Sequence, residues 1–373
     1  MHIIVIGGGI QGLCTAEYLS GMTGIQCTLI EQFSRFHKRG SSHGLSRITR
    51  SAYSNRLYVE LMQQCHQEIW PSLEDRLGVK IIHPVKGCFM GPKDGLFQSY
   101  SQAVKTGGAA VEELDHRKAQ IHFPQFKINP EDGVLLDHTA GIIHAETLVE
   151  KLWQRLESKG VYILENTRVN GIDLKTSTVH TTTGAITGDK LILCAGPWVG
   201  TLFPQLVTPK IKVVRQAVTY WQLKDPALGR APEFPVWVEM GKDNTELWYG
   251  LPAIKSEGIK VARHNLVGDD DPDLDINGCS EPQIEQIRGW IQKRMSIEIA
   301  QLLSHETCLY SVTETEDFIL DHHPSSSNLL IGAGFSGHGF KFAPMVGQIL
   351  AERAVGGCSS ISKIEENADR FHF

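Results

Sequence analysis

Short apolar runs alternate with amphipathic stretches along most of the chain, and their spacing predicts the elements. The run His2-Ile3-Ile4-Val5-Ile6 has the length of one buried strand. It leads through Gly7-Gly8-Gly9-Ile10-Gln11-Gly12 into an amphipathic helix, and Cys27-Thr28-Leu29-Ile30 is a second strand, ending at Glu31. Tyr58, Leu61, Met62, Cys65 and Ile69 recur at helical spacing, with Pro71 expected to bend or end that helix. Residues 79–140 read as short strands and turns, broken at Gly91-Pro92 and Asn129-Pro130. Ala145, Leu148, Val149, Leu152, Trp153 and Leu156 share one helix face, and Gly160 stops that helix. Strands follow at 161–164, 168–174 and 178–183, and Lys190 to Cys194 is a buried strand entering a turn at Gly196.

From Ile211 to His264 the pattern becomes rich in long β runs, implying a second sheet. Within Ile259 to His264, alternation puts Lys260 and His264 on one face; taken alone it describes an exposed edge strand. Ile284, Ile287 and Ile291 mark another helix. Cys308 and Tyr310, two apart on a short strand, face one side. Apolar strands Phe318 to Asp321 and Leu329 to Gly332 precede a loop with Gly334, Gly337, His338 and Gly339. Pro344 suits N1 of the helix carrying Val346, Ile349 and Leu350.

Composition narrows the classes. With 373 residues, two domains are expected, and 41% hydrophobic with 21% charged residues is globular. A net charge of −6 and scattered basic residues give no polyanion signature, so nucleic acid is not an expected partner. No apolar span reaches membrane length, and the N-terminal run lacks a basic leader, so the expectation is a cytoplasmic protein without a membrane partner. Eight cysteines without regular spacing suggest neither a disulfide framework nor a metal site. The acidic run Asp269 to Asp273 lacks the pattern of a calcium loop and is read as a solvated turn.

The opening segment carries the first chemistry. A strand, a G-x-G-x-x-G turn, a helix and an acid 19 residues after Gly12 match the dinucleotide-binding fingerprint. Gly7 allows the tight turn, Gly9 lets backbone approach a pyrophosphate and Gly12 permits close helix packing, while Glu31 is placed for ribose hydroxyls. The same pattern without a ligand is simply a glycine-rich strand–helix turn. A basic loop from Ser34 to Ser46 then presents Arg47 and Arg50 three apart, a pattern that charge alone would place in solvent.

Gly-Phe-Ser-Gly-His-Gly-Phe-Lys at 334–341, with Cys308-Leu309-Tyr310 upstream and Arg47-Ile48-Thr49-Arg50 after the glycine loop, resembles monomeric sarcosine oxidase and N-methyltryptophan oxidase, of the D-amino-acid-oxidase-like flavoprotein group. The resemblance runs through essentially the whole chain. It implies a mixed α/β fold: a Rossmann-like FAD-binding domain over 1–81, 140–210 and 315–373, and a substrate domain on a mixed β-sheet over 82–139 and 211–314. It implies FAD rather than NAD, bound covalently through Cys308, with cofactor contacts from Gly7, Gly9, Gly12, Glu31, Ser41, Ser46, Arg47, Gly196, Gly334, Gly337, His338, Gly339 and Lys341. Arg50 and Lys341 would hold a substrate carboxylate, Tyr310 and Tyr249 would line the pocket, and Lys260, His264 and Arg47 would lie at the flavin; this reverses the edge-strand reading. Two departures concern specificity. Leu45 stands where the family usually has Asp, and Trp237 stands in place of a smaller pocket residue. The implied activity is oxidation of a secondary amino acid by a monomer: hydride transfer to flavin N5, imine hydrolysis and reduction of O2 to H2O2. Alternatives are a cyclic imino acid or N-glycated amino acid as substrate, an NAD-dependent dehydrogenase, or a flavin-binding protein without turnover.

Overall fold

In the computed structural model, residues 1–204, 211–243, 246–255, 258–276 and 278–372 are described. The expected domain boundary at residue 210 falls outside this set. Two sheets organise the chain. The first has six strands in the order Ile319–His323, Ser326–Ala333, Lys190–Leu193, His2–Ile6, Gln26–Ile30 and Tyr162–Leu164. All neighbours are parallel except the edge pair Ile319–His323 and Ser326–Ala333, an antiparallel hairpin. Ile3, Ile4 and Val5 are fully buried because both faces of this sheet are covered, which explains why these strands read as continuous apolar runs.

The second sheet has eight strands, in the order Ile299–Thr313, Ile211–Leu223, Ile259–His264, Leu247–Leu251, Val236–Met240, Gly87–Pro92, Asp132–Asp137 and Val111–Leu114. It is antiparallel apart from Val236–Met240 beside Gly87–Pro92. The segment Ile259–His264 is paired on both sides, so it is an interior strand and not an edge. Its Ile259 and Val261 enter a core beneath the helix Glu281–Arg294, while Lys260 turns to the opposite face. A three-stranded unit, Ser46–Thr49, Gly141–His144 and Ile82–Pro84, adjoins the two.

Several elements differ from the sequence reading. Cys308 and Tyr310 belong to a strand of 15 residues, not a short one. Pro71 does not end its helix, though the α-helical ladder is broken just before it. The chain passes from Arg56–Gln64 through a π turn at Cys65–Ile69 into Trp70–Leu77, with Pro71 in the first turn of that last segment, where its missing N–H costs least. The stretch 79–140 holds two helices, Leu96–Gly107 and His116–His122, where only strands and turns were expected. The acidic run is the largely exposed turn expected, with Asp269, Asp271 and Asp273 in solvent, but it is tied down: Asp273 accepts from Trp198 Nε1 at 2.8 Å and pairs with Arg168 at 2.9 Å, and Asp270 accepts from Arg215 N.

Candidate active site

The opening strand ends at a turn whose glycines are demanded by contact. A Cβ on Gly12 would stand 1.8 Å from the Gly7 carbonyl oxygen, so only glycine lets the helix Ile10–Ser20 start this close to the strand. Gly9 caps that helix without a side-chain hydrogen bond, and Ser42 Oγ accepts from Ile10 N at 2.9 Å. Glu31 accepts from Gly8 N at 2.7 Å and from Phe33 N at 2.9 Å, and burial raises its pKa. These residues open one cavity of about 590 Å³ that runs on to Cys308, Tyr249 and Lys341.

At the far end the chain gathers cations. Arg47 is locked by backbone carbonyls: Nη2 donates to Ser41 O at 2.8 Å and His43 O at 2.6 Å, Nη1 to Ser46 O at 2.8 Å, and the guanidinium lies 5.1 Å from the Phe340 ring. Arg50 is boxed by aromatics, 4.3 Å from the Tyr53 ring centroid, 5.4 Å from Phe89 and 5.5 Å from Tyr100. Lys341 Nζ stands 5.7 Å from the same Tyr53 ring and donates to His338 O at 3.2 Å. Burial, with Arg50 and Arg47 nearby, pulls the Lys341 pKa well below its ordinary value. Among the described residues neither Arg50 nor Lys341 forms a salt bridge.

Lys260 is 4% exposed, reaches Ser46 O at 3.5 Å and lines the cavity with Cys308. His264 lies 3.9 Å from Glu316 and 5.3 Å from the Tyr310 ring, and Tyr310 and Tyr249 both line the cavity. Burial pushes the Tyr249, Tyr310 and Cys308 pKa values up, so all three keep their protons at neutral pH. His338 packs among Tyr58, Phe318 and Phe342; burial and Lys341 hold it neutral.

The structure thus brings Glu31, Gly7, Gly9, Ser41, Ser46, Arg47, Arg50, Gly196, Tyr249, Lys260, His264, Cys308, Tyr310, Gly337, His338, Gly339 and Lys341 to one cavity wall. Gly12 and Gly334 lie behind the wall and act through backbone shape. Trp237 is a correction. It is fully buried on the other face of the sheet and stacks on Trp290 at 4.5 Å and an angle of 2°, so it is a core residue and touches no cavity. Val238, its neighbour, takes the cavity face. Sequence reasoning missed Tyr53, Tyr100 and Glu306, all on the cavity wall. For Tyr100 a signal existed: Phe97, Tyr100, Ser101 and Val104 stand at helical spacing.

A glycine-cradled helix start at one end and locked cations at the other define a nucleotide-cofactor oxidoreductase site. The chain belongs to the family described as FAD dependent oxidoreductase, whose model matches residues 2–353. It is 33% identical over 361 residues to peroxisomal sarcosine oxidase of Homo sapiens, covering 94% of this chain and 90% of that protein. It is 30% identical over 364 residues to monomeric sarcosine oxidase of Bacillus sp. (strain B-0618), covering 95% and 92%. Among solved structures it resembles the open form of NikD, an unusual amino acid oxidase essential for nikkomycin biosynthesis, with a TM-score of 0.82 and 20% identity over 97% of this chain and 96% of that one. The protein is therefore an FAD-dependent enzyme, and the nicotinamide alternative is set aside. The residues fit such a group: beside the helix start and cations, Gln11 Oε1 and Tyr53 Oη are buried polar atoms with no hydrogen-bond partner among the described residues. Among those residues no helix is long and apolar enough to cross a membrane, and no cluster of metal-ligating side chains occurs.

Proposed function

We propose that the protein oxidises a secondary amino acid, such as an N-methylamino acid like sarcosine, to an imine that water hydrolyses, with O2 reduced to H2O2. The observation that carries this reading is the pair of cations, half-buried Arg50 and buried Lys341, flanking Tyr53 with no salt-bridge partner among the described residues. A carboxylate entering there meets a guanidinium fork and a point charge already desolvated, so little reorganisation is needed on binding. Tyr249 and Tyr310 close the wall beside it, and Val238, Leu247 and Leu251 supply apolar surface that excludes water from the reacting carbon. The flavin, when bound, supplies the two-electron acceptor and hands the electrons to O2. Gly7, Gly9 and the helix start at Ile10 would hold its pyrophosphate and Glu31 its ribose. Arg47, Ser41, Ser46, Gly196, Gly337, His338 and Gly339 would frame the rest, and Lys260 and His264 would place polar groups beside the ring. Cys308 would anchor it by a thioether.

The six-stranded sheet draws all its strands from 1–81, 140–210 and 315–373, which supports the proposed FAD-binding domain; the eight-stranded sheet draws its strands from 82–139 and 211–314. All eight cysteines are unpaired, which supports a reducing, cytoplasmic setting, and the bacterial relative's name supports a monomer. Peroxide release measured on a panel of N-methyl, cyclic and N-glycated amino acids tests the reading. Peroxide from N-methylamino acids is expected, and a cyclic or N-glycated preference would replace that substrate. No peroxide from any member overturns it.

A further inference from the structure

Beneath the loop at Gly44 the cavity wall carries an acid that the proposed reaction does not use. Glu306 lies two residues before Cys308 on the strand Ile299–Thr313, so both side chains leave the same face. Its Oε1 accepts the Tyr220 hydroxyl at 2.6 Å, and its Oε2 stands 3.8 Å from His43 Nε2. A Cβ on Gly44 would lie 3.1 Å from Glu306 Oε1 and 3.4 Å from Arg47 Nη1, so glycine there brings the loop, the acid and the guanidinium together. Tyr220 is paired directly across the sheet from Lys260, whose ammonium lies 5.7 Å from the Tyr220 ring. Burial opposes ionisation of Glu306, yet the Tyr220 hydrogen bond and the Lys260 and Arg47 cations lower its pKa. Burial lowers the His43 pKa to about 4, so the contact between His43 and Glu306 is polar, not an ion pair, at neutral pH. Two fixed cations and one carboxylate therefore share the Cys308 end of the cavity.

A site built only to attract negative charge would gain nothing from this acid. We propose that Glu306 is the counter-charge that sets how strongly the Arg47 and Lys260 cations pull on negative charge at the flavin end of the cavity. It is a positioning residue: it acts through those cations and touches no reacting atom. The inference rests on the flavin reading above.

Sulfite, an anion that adds to oxidised flavins and bleaches their colour, is a probe that needs no turnover. In the holoprotein, Glu306→Gln is expected to tighten sulfite binding by about tenfold, the order expected when one close unit charge is removed from a partly solvated cavity. The flavin midpoint potential should move in the positive direction, and Glu306→Asp, which keeps the charge, should stay within about twofold of wild type. Glu306→Ala repeats the neutral test if Glu306→Gln loses flavin. Should only the Asp variant retain flavin, the carboxylate is a requirement for assembling the site and the proposal falls. The proposal falls if a neutral variant binds sulfite like wild type, if Asp shifts binding as far as Gln, or if all three variants lose the cofactor. A colourless wild type would instead remove the flavin reading itself, and this inference with it.

Discussion

Lys341→Met separates binding from stability. In the free cavity Lys341 is buried near Arg50 and Arg47, with the His338 carbonyl and the Tyr53 ring but no carboxylate as partner among the described residues, so its charge is held at a cost to the fold. Methionine fills a similar volume without that charge, and a gain of roughly 1–3 kcal/mol is expected, or a few degrees in Tm for a chain of this size. The sign follows from the lowered pKa: between the folded value and the ordinary lysine value of about 10.4, the unfolded chain binds more protons, so wild-type stability gains as pH rises through that window. The variant should lack this gain. The same substitution removes one charge-assisted bond to a carboxylate, worth about 3 kcal/mol in a desolvated site, hence an affinity loss of roughly 150-fold. Thermal unfolding of the holoprotein across pH and titration with propionate, a carboxylate with no oxidisable amine, read the two effects. A variant that melts below wild type, or that binds propionate within threefold of it, refutes the reasoning.

Other outcomes follow from single contacts. Lys260→Met should slow reoxidation of the reduced enzyme by O2 by orders of magnitude with flavin content unchanged; normal oxygen kinetics in a stopped-flow trace would remove that role. Cys308→Ala should release its flavin on acid denaturation where wild type retains it, and covalent flavin in the variant would place the link elsewhere. Trp237→Phe should cost about 1–2 kcal/mol in denaturant unfolding by loosening the stack on Trp290, while leaving KM for the amino acid unchanged; a large KM change would return it to the pocket. Gly12→Ala, whose methyl would meet the Gly7 carbonyl at 1.8 Å, should abolish flavin retention; a yellow, stable variant would contradict the close-approach argument.

Much of this site was readable where local rules act. The strand, glycine turn and acid from His2 to Glu31 are set by short-range sterics and helix-end electrostatics, and they fold as the pattern implies. Alternation correctly put Lys260 and His264 on one face, but it carries no information on which strands lie alongside. An interior strand therefore read as an edge. The same blindness misplaced Trp237: period two assigns faces, and only the packing of the helix Glu281–Arg294 decides which face is core. Leu96–Gly107 was lost because the stretch was read from its breakers, Gly91-Pro92 and Asn129-Pro130, although its apolar positions recur at helical spacing. Glu306 was illegible for a different reason. A charged residue on a strand reads as solvent-facing, and only the loop at Gly44, more than 250 residues earlier, encloses it.

The most direct measurement of the central claim is the visible spectrum of the purified protein before and after anaerobic addition of sarcosine, pipecolate or proline. A yellow protein whose flavin bands bleach with at least one of these, and return on admitting air, is the predicted result. A colourless protein that does not take up FAD, or a yellow one that no secondary amino acid bleaches, would contradict it.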